Sequence, residues 1–281
     1  MKVVHTTNDL QGLLQNARNE GKSVGLIPTM GALHEGHASL VKRAVKENDV
    51  TVISIFVNPT QFNDLNDLKK YPRTLKADCR LLEQIGATIA FAPSVEDIYP
   101  QPDTRQFSFA PLDTVMEGPR RPGHFNGVAQ IVSHLLELVK PERAYFGEKD
   151  FQQLAIIREM VRQMQLQVEI VGCSIVREVD GLALSSRNAL LSPSERIQAL
   201  VISQTLFASS DYAKTHSLAQ TKHYVEQCIK DAPGLELEYF EIVDALSMQT
   251  VGEWTETEKI QGCITVHCGS VRLIDNIAYK A

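Results

Sequence analysis

VGLIPTMGALHEGHASLVKRAVKEN, residues 24–48, is the stretch whose reading decides the fold. Val24, Leu26 and Ile27 are apolar and suit a buried strand. Gly31 loosens a turn after it, and Leu40, Val41, Ala44 and Val45 then recur at helical spacing. The spacing therefore predicts strand, tight turn, helix, with His34 and His37 at the junction where the helix starts. The first turn of a helix carries unpaired N–H groups and the positive end of the dipole. A polyphosphate fits there without further machinery. Two imidazoles beside that anion would add donors, and Gly36 lets a ligand approach the backbone. The pattern is HxGH, distinct from the Rossmann GxGxxG and from the P-loop. Two plainer readings compete, a metal-binding pair and ordinary surface histidines. No third ligand stands nearby in sequence, and the placement between a glycine-turned strand and an amphipathic helix favours the anion site.

Working outward, DVTVISIFVNPTQF, residues 49–62, opens with a nearly continuous apolar run. That is the pattern of a parallel strand covered on both faces. Strand, helix, strand makes a right-handed βαβ unit by default. Asn58 to Gln61 follow at the carboxyl edge of the strand, where open α/β sheets bind ligands. Gln61 can donate and accept at once, which suits a hydroxyl or carboxylate, although a turn-capping amide is the plainer role. Upstream, residues 2–7 read as a short strand or an extended lead-in, and Asn8 or Asp9 as the cap of a helix ending at Gly21. Downstream, the polar residues 62–73 read as a wall or lid over the site. Residues 74–85 read as a helix and 87–92 as a strand. Asp78 is a candidate magnesium ligand or part of a solvated helix face. Residues 93–113 hold four prolines and read as loop with short strands.

GPRRPGHFNG, residues 118–127, is a second dense cluster, and an amphipathic helix follows from Val128 until Pro141 stops it. RAYF, residues 143–146, reads as a strand, and GEKDFQQ, residues 147–153, repeats the strand-end, turn, helix-start pattern. Lys149 is then a cation where phosphates would gather, Asp150 could orient it or a metal, and Gln153 lies on the first helical turn. For Lys149 alone the solvated reading would win. Residues 167–176 read as a further strand, and Asp180-Gly181 as a turn. Ser185, Ser186, Arg187 and Asn188 gather groups suited to clamp a phosphate, or else form a polar linker. Ser192, Pro193 and Glu195 match a capping box with proline at the first helical position. Beyond the helix that this starts, a helix at 217–230 and strands at 235–245, 260–267 and 271–279 read as a small α+β module.

The fold class expected is α/β, with a parallel-sheet domain over 1–176 and a smaller α+β cap domain over 177–281. At 281 residues, 43% hydrophobic and 22% charged, the composition is that of a soluble globular protein. A net charge of −6 argues against a broad nucleic-acid footprint. No apolar run approaches a membrane span, and MKVVHTTNDL lacks the apolar core of a signal peptide. Five cysteines without a CxxC pair suggest reduced thiols, so the expected location is cytoplasmic.

Together, PTMGALHEGH at 28–37, FVNPTQF at 56–62, YPRT at 71–74, RPGHFNGV at 121–128, FGEKDFQQ at 146–153 and DGLALSSRN at 180–188 resemble the pantoate–β-alanine ligase family. That family belongs to the HIGH-motif nucleotidyltransferases. The resemblance runs almost end to end and rests on six motifs in order. It implies a Rossmann-like N-terminal domain, a small C-terminal domain that closes over it, and a homodimer. It implies ATP, pantoate and β-alanine as substrates, with magnesium, and a pantoyl adenylate between two half-reactions. Residue by residue, it puts ATP against Met30, Gly31, Ala32, Leu33, His34, Glu35, Gly36 and His37, against Gly147, Glu148, Lys149 and Asp150, and against Val176, Leu184, Ser185, Ser186 and Arg187. His37 falls at the proton-donor position, with His34, Lys149 and Arg187 completing the catalytic set. Gln61 and Gln153 fall at pantoate positions, Gln61 also at the β-alanine position, and Asp78 near acidic residues tied to magnesium. The chain departs from the family pattern at Leu65 and Asn66, where Pro-Glu is common, and at Gln130 and His134. A related nucleotidyltransferase acting on a phosphate acceptor is the alternative, since HxGH is common to both. The Gln61 and Gln153 pair speaks against it.

Overall fold

The computed structural model describes residues 1–62 and 65–280. In chain order the elements are β1 (Lys2–Val4), α1 (Thr7–Asn19), β2 (Val24–Thr29), α2 (Glu35–Glu47), β3 (Val50–Ile55), α3 (Leu65–Lys70), α4 (Leu75–Ile85), β4 (Ile89–Phe91) and α5 (Val95–Ile98). Next come α6 (Glu117–Arg120), α7 (His124–Val139), β5 (Arg143–Gly147), α8 (Phe151–Gln163) and β6 (Glu169–Cys173). The remainder is α9 (Pro193–Gln198), α10 (Leu200–Tyr212), α11 (Leu218–Asp231), β7 (Leu235–Asp244), β8 (Ile260–Cys268) and β9 (Val271–Lys280).

The chain divides into two compact units. The first comprises Met1–Phe109, Arg120–Glu148 and Ile156–Ser174, and the second Ala110–Pro119, Lys149–Ala155 and Ile175–Ala281. The main crossing lies two residues before the boundary expected after Val176, and two short segments from the N-terminal half go with the second unit.

The first unit holds a six-stranded parallel sheet in the order β1-β4-β3-β2-β5-β6. From β2 the chain winds outward through β3 and β4, and from β5 it winds the other way to β6, so the winding reverses between β2 and β5. Ligands of such sheets bind at that reversal, outside the carboxyl ends of the strands. β2 pairs with β3 from Val24↔Val50 to Thr29↔Ile55. Its pairing with β5 runs only through Gly25↔Arg143 and Leu26↔Ala144. Below them the seam is pinned by Glu142, which donates N–H to the Val24 carbonyl (3.0 Å) and accepts from the Val24 N–H (2.6 Å). The core here is built on Ile27, Val41, Ile53, Leu82, Ala90 and Tyr145.

α2 lies across the seam because its carboxyl end is fastened to the strands. Tyr145 donates its hydroxyl to Glu47 (2.8 Å) and accepts from Asn48 (2.7 Å). Burial and then the Glu47 bond push that phenol up to about 12, so it stays protonated at neutral pH. A Cβ at position 25 would fall 2.6 Å from the Asn48 amide, so this approach needs Gly25.

The second unit holds the antiparallel sheet β7-β8-β9. Leu206, Val225, Phe240 and Ile264 pack in a core on one side, and Met116, Tyr239, Val243 and Cys263 in another on the opposite side. The segment 110–119 is held to this sheet by Glu117, whose carboxylate accepts from Tyr239 (2.8 Å) and from both Arg272 amino groups (2.7 and 2.9 Å). Arg272 also binds Glu238 (2.7 Å), which accepts from His267 (2.9 Å).

Several expectations change in detail. Thr6, not Asn8 or Asp9, caps α1, accepting from the Asp9 N–H. Residues 93–113 contain the single-turn helix α5, capped by Ser94, rather than short strands. α7 begins at His124, four residues before the apolar pattern does, with Gly123 in the left-handed region. Gln130, a departure from the family pattern, donates to the Asp103 and Arg105 carbonyls (both 3.0 Å) and so ties that loop to α7. Of the segment read as a wall or lid, 65–70 is the short helix α3, while residues 63 and 64 lie outside the described residues.

Candidate active site

The HxGH turn follows β2. Gly31 and Ala32 take positive φ (80° and 50°), folding the chain sharply into α2. Asp78 on α4 holds that turn: its carboxylate accepts from the Ala32 N–H (3.1 Å), the Leu33 N–H (2.9 Å) and the Thr74 hydroxyl (3.1 Å). Both oxygens are engaged and the residue is 2% exposed. Asp78 is thus a clamp of this turn, beside the magnesium role expected of it. Among the described residues no group of three or more His, Cys, Asp or Glu could hold a metal ion.

His34 is the N-cap of α2, and the cap is reciprocal. His34 Nδ1 accepts from the Gly36 N–H (3.1 Å), while His37 Nδ1 accepts from the His34 N–H (3.4 Å). The two rings lie 4.2 Å apart, tilted by 41°. Histidine is an unusual residue for a capping box, which ordinarily pairs Ser or Thr with Glu or Gln. The arrangement has a chemical consequence. A nitrogen that accepts from an amide carries no hydrogen, so in both neutral rings the hydrogen sits on Nε2. The helix N-terminus thus fixes two imidazoles as Nε2 donors.

Gln61 sits on the short 3-10 turn Pro59–Gln61 beyond β3. Its Nε2 donates to the Met30 sulfur (3.2 Å), and its Oε1 accepts from Asn58 (3.1 Å). The buried Asn58 also donates to the Gly127 carbonyl (3.1 Å) and accepts from the Tyr99 hydroxyl (2.9 Å). His124 Nδ1 donates to the Gln61 carbonyl (2.9 Å), which leaves Nε2 to accept from Arg121 (3.0 Å). A Cβ on Gly127 would lie 2.3 Å from the Thr60 carbonyl, so the helix touches this turn backbone to backbone. Gln61 and the 118–127 cluster are legible in the sequence, but the pairing of Asn58 with Gly127 crosses 69 positions and leaves no periodic signal.

Gly147 ends β5 opposite Cys173, and Glu148 donates N–H to the Cys173 carbonyl (2.8 Å). In the second unit Asp150 heads α8, accepting the Leu154 N–H at its carbonyl (3.0 Å), with Gln153 on the first turn. Gln152 beside it is buried and donates to the Leu112 and Val115 carbonyls (2.8 and 2.9 Å). Residues 176–184 form a tight hairpin: Leu184 N–H donates to the Val176 carbonyl (3.0 Å), and Arg177 bridges Ala183. The hairpin delivers Ser185, whose hydroxyl accepts from the Arg187 N–H (3.2 Å) and starts a 3-10 turn. The sequence-predicted set is therefore gathered as two groups. Met30 to His37, Gln61, Gly147 and Glu148 lie in the first unit, and Lys149, Asp150, Gln153, Val176 and Leu184 to Arg187 in the second.

A doubly wound parallel sheet with an HxGH helix start at its reversal defines an α/β enzyme that handles a nucleotide's phosphates. Comparison with known proteins narrows this. The pantoate-beta-alanine ligase family model matches residues 2–278. The pantothenate synthetase of Bacteroides fragilis is 71% identical over 280 residues, covering 100% of this chain and 99% of that protein. That of Bacteroides thetaiotaomicron is 70% identical over 280 residues, with the same coverage. The crystal structure of pantothenate synthetase from Thermus thermophilus superposes with a TM-score of 0.94 at 42% identity, covering 100% of both chains. A pantoate-beta-alanine ligase from Francisella tularensis, complexed with beta-gamma ATP and beta-alanine, superposes at 0.83 with 34% identity, covering 99% of this chain and 98% of that one. The chain belongs to the pantoate–β-alanine ligase family. The alternative of a nucleotidyltransferase acting on a phosphate acceptor is overturned by these matches, which span the whole chain.

Proposed function

We propose that the chain joins pantoate to β-alanine in two steps, with ATP as the activating substrate. In the first, a pantoate carboxylate oxygen attacks the α-phosphorus of ATP and pyrophosphate leaves, giving pantoyl adenylate. In the second, the β-alanine amine attacks the acyl carbon, giving pantothenate and AMP. A free carboxylate is a poor electrophile, and adenylation gives it a good leaving group. The observation that carries this reading is the reciprocal histidine cap. It presents two Nε2–H donors at a helix N-terminus, where charge on departing pyrophosphate is stabilised. His37 is the proton donor of this reading, and His34 its neighbouring donor.

Met30, Gly31, Ala32, Leu33, Glu35 and Gly36 line the nucleotide in this reading, with Gly147, Glu148, Lys149, Asp150, Val176, Leu184, Ser185, Ser186 and Arg187. Lys149 and Arg187 supply positive charge to the phosphates. Gln61 and Gln153 bind pantoate, and Gln61 also serves β-alanine. The rigid seat of Gln61 supports this, because it leaves the amide a single orientation. Magnesium would come with the nucleotide, where it neutralises phosphate charge, and Asp78 is the residue this reading offers it. Among the described residues no helix is long and apolar enough to cross a membrane. A homodimer, a cytoplasmic location and independence from nucleic acid complete the reading.

The test is pantoate-dependent exchange of labelled pyrophosphate into ATP without β-alanine. Exchange that requires pantoate and magnesium, and falls about 100-fold or more in His37→Ala, is expected for a donor to the departing charge. Absence of exchange in folded, ATP-binding protein would sink the two-step reading.

A further inference from the structure

The Lys149 loop and the 176–187 loop both lie about a hundred positions or more before β9, yet that one strand reaches both. We propose that Asp275 and Asn276, adjacent on β9, are positioning residues that set the Lys149 loop and the 176–187 loop for the nucleotide. The inference rests on the reading of Lys149 and Arg187 as nucleotide residues.

Successive side chains of a strand point to opposite faces. Asn276, 4% exposed, donates its Nδ2 to the Lys149 carbonyl (2.9 Å) across 127 positions. Its Oδ1 accepts from Gln261 Nε2 on β8 (2.7 Å), so the amide is held from both ends. That bond fixes the peptide from which the Lys149 side chain departs.

Asp275, equally buried, takes Arg177 in a two-pronged ion pair (2.6 and 2.8 Å) across 98 positions. Arg177 also donates to the Asn276 carbonyl (3.3 Å) and to the Gly181 carbonyl (3.2 Å), and its guanidinium lies over the Phe207 ring at 4.9 Å. Arg177 and Ala183 are the bridged pair of the hairpin that presents Ser185 to Arg187. The carboxylate therefore holds the base of one loop and the neighbouring amide holds the backbone of the other. The two are tied to each other, since the Asn276 N–H donates to Asp275 Oδ1 (2.8 Å). Paired, desolvated charge with fork geometry is stiff as well as strong. A two-residue span of strand thus fixes how far apart the two loops start, without itself touching substrate.

The test uses three variants of the full chain. Asn276→Asp removes the donor to Lys149 but keeps an acceptor for Gln261. Gln261→Met removes only the opposite contact, and Asp275→Asn weakens the hold on Arg177. Two readouts are taken: amide hydrogen exchange by segment, and pantoate-dependent pyrophosphate exchange with KM and kcat resolved. Asn276→Asp is expected to speed amide exchange in 147–153 while leaving 176–184 as in the parent. It should also cut kcat/KM for ATP by about 10–100-fold, the scale of a small misplacement, with the KM for β-alanine unchanged. Asp275→Asn is expected to loosen 176–184, and Gln261→Met to behave as the parent. Unchanged amide exchange in 147–153 for Asn276→Asp would overturn the proposal, as would the same losses in Gln261→Met. If the parent itself shows no pyrophosphate exchange, the nucleotide reading fails, while the segment-resolved amide exchange still decides whether these residues hold the loops.

Discussion

Asp78 was legible in the sequence as an acidic side chain near the site, but not as what it does. Besides the Thr74 hydroxyl one helical turn away, its partners are two backbone amides, and backbone amides are the same at every position, so no residue pattern announces them. The distinction is testable. Asp78→Asn replaces one acceptor oxygen by an amino group that faces an N–H, leaving a buried donor unsatisfied at a cost of about 1–3 kcal/mol. The variant is expected to melt earlier and to lose pyrophosphate exchange. Loss that persists in excess magnesium would be that of the clamp, whereas a lost metal ligand would be partly offset by excess metal. At Gly127 the constraint is steric. Gly127→Ala drives a methyl against the Thr60 carbonyl, and relief of such overpacking costs about 1–3 kcal/mol. The turn that carries Gln61 has to move, so the KM for pantoate is expected to rise more than that for ATP.

At the scale of elements, periodicity located most strands and helices because burial imposes it. It failed where a helix begins before its apolar face does. α7 starts in the GHFN of the second cluster, whose histidine and asparagine serve hydrogen bonds rather than core packing. The start of α2 was legible, yet the reciprocal cap was not, because histidine is rarely read as a capping residue. The cap separates two roles of one side chain. His34→Ala removes the cap and is expected to cost about 0.5–2 kcal/mol. His34→Ser restores an N-cap oxygen, so thermal stability should return to near that of the parent. Adenylation should stay low in both variants, by about 100-fold if the imidazole stabilises developing charge. Recovery of activity with serine would mean that the histidine acts only on the helix.

For the whole molecule, the βαβ pattern and the C-terminal strands were legible, but the allotment of 110–119 and 149–155 to the second unit was not. Those segments are placed by Glu117 and Gln152, buried polar residues whose partners are remote in sequence. The same charge network predicts an acid limit. Burial alone would raise the Glu238 carboxyl, but Arg272 and His267 outweigh it and hold it below the ordinary 4.5. Separately, in the first unit, Asp103 is lowered chiefly by its hydrogen bond to Arg105. A carboxylate whose pKa is lower when folded contributes stability above its unfolded pKa, and loses it as pH falls through the folded value. Melting temperature should therefore drop steeply below about pH 4.5, and the drop should be shallower in Arg272→Leu, read by calorimetry across a pH series.

The brevity of the β2–β5 pairing also bears on how the chain assembles. β2 and β3 are joined by a short crossover and six registered positions, whereas β2 and β5 share only two, with their residues 118 positions apart at the Glu142 anchor. The widest loop in the sheet is closed by its weakest ladder, and loop closure costs entropy before contacts return it. Each winding can form from its own crossovers, so their union is expected to come late in folding. The gap at the carboxyl end of the reversal is thus the scar of that joining, left where the two windings meet but never zip to the top.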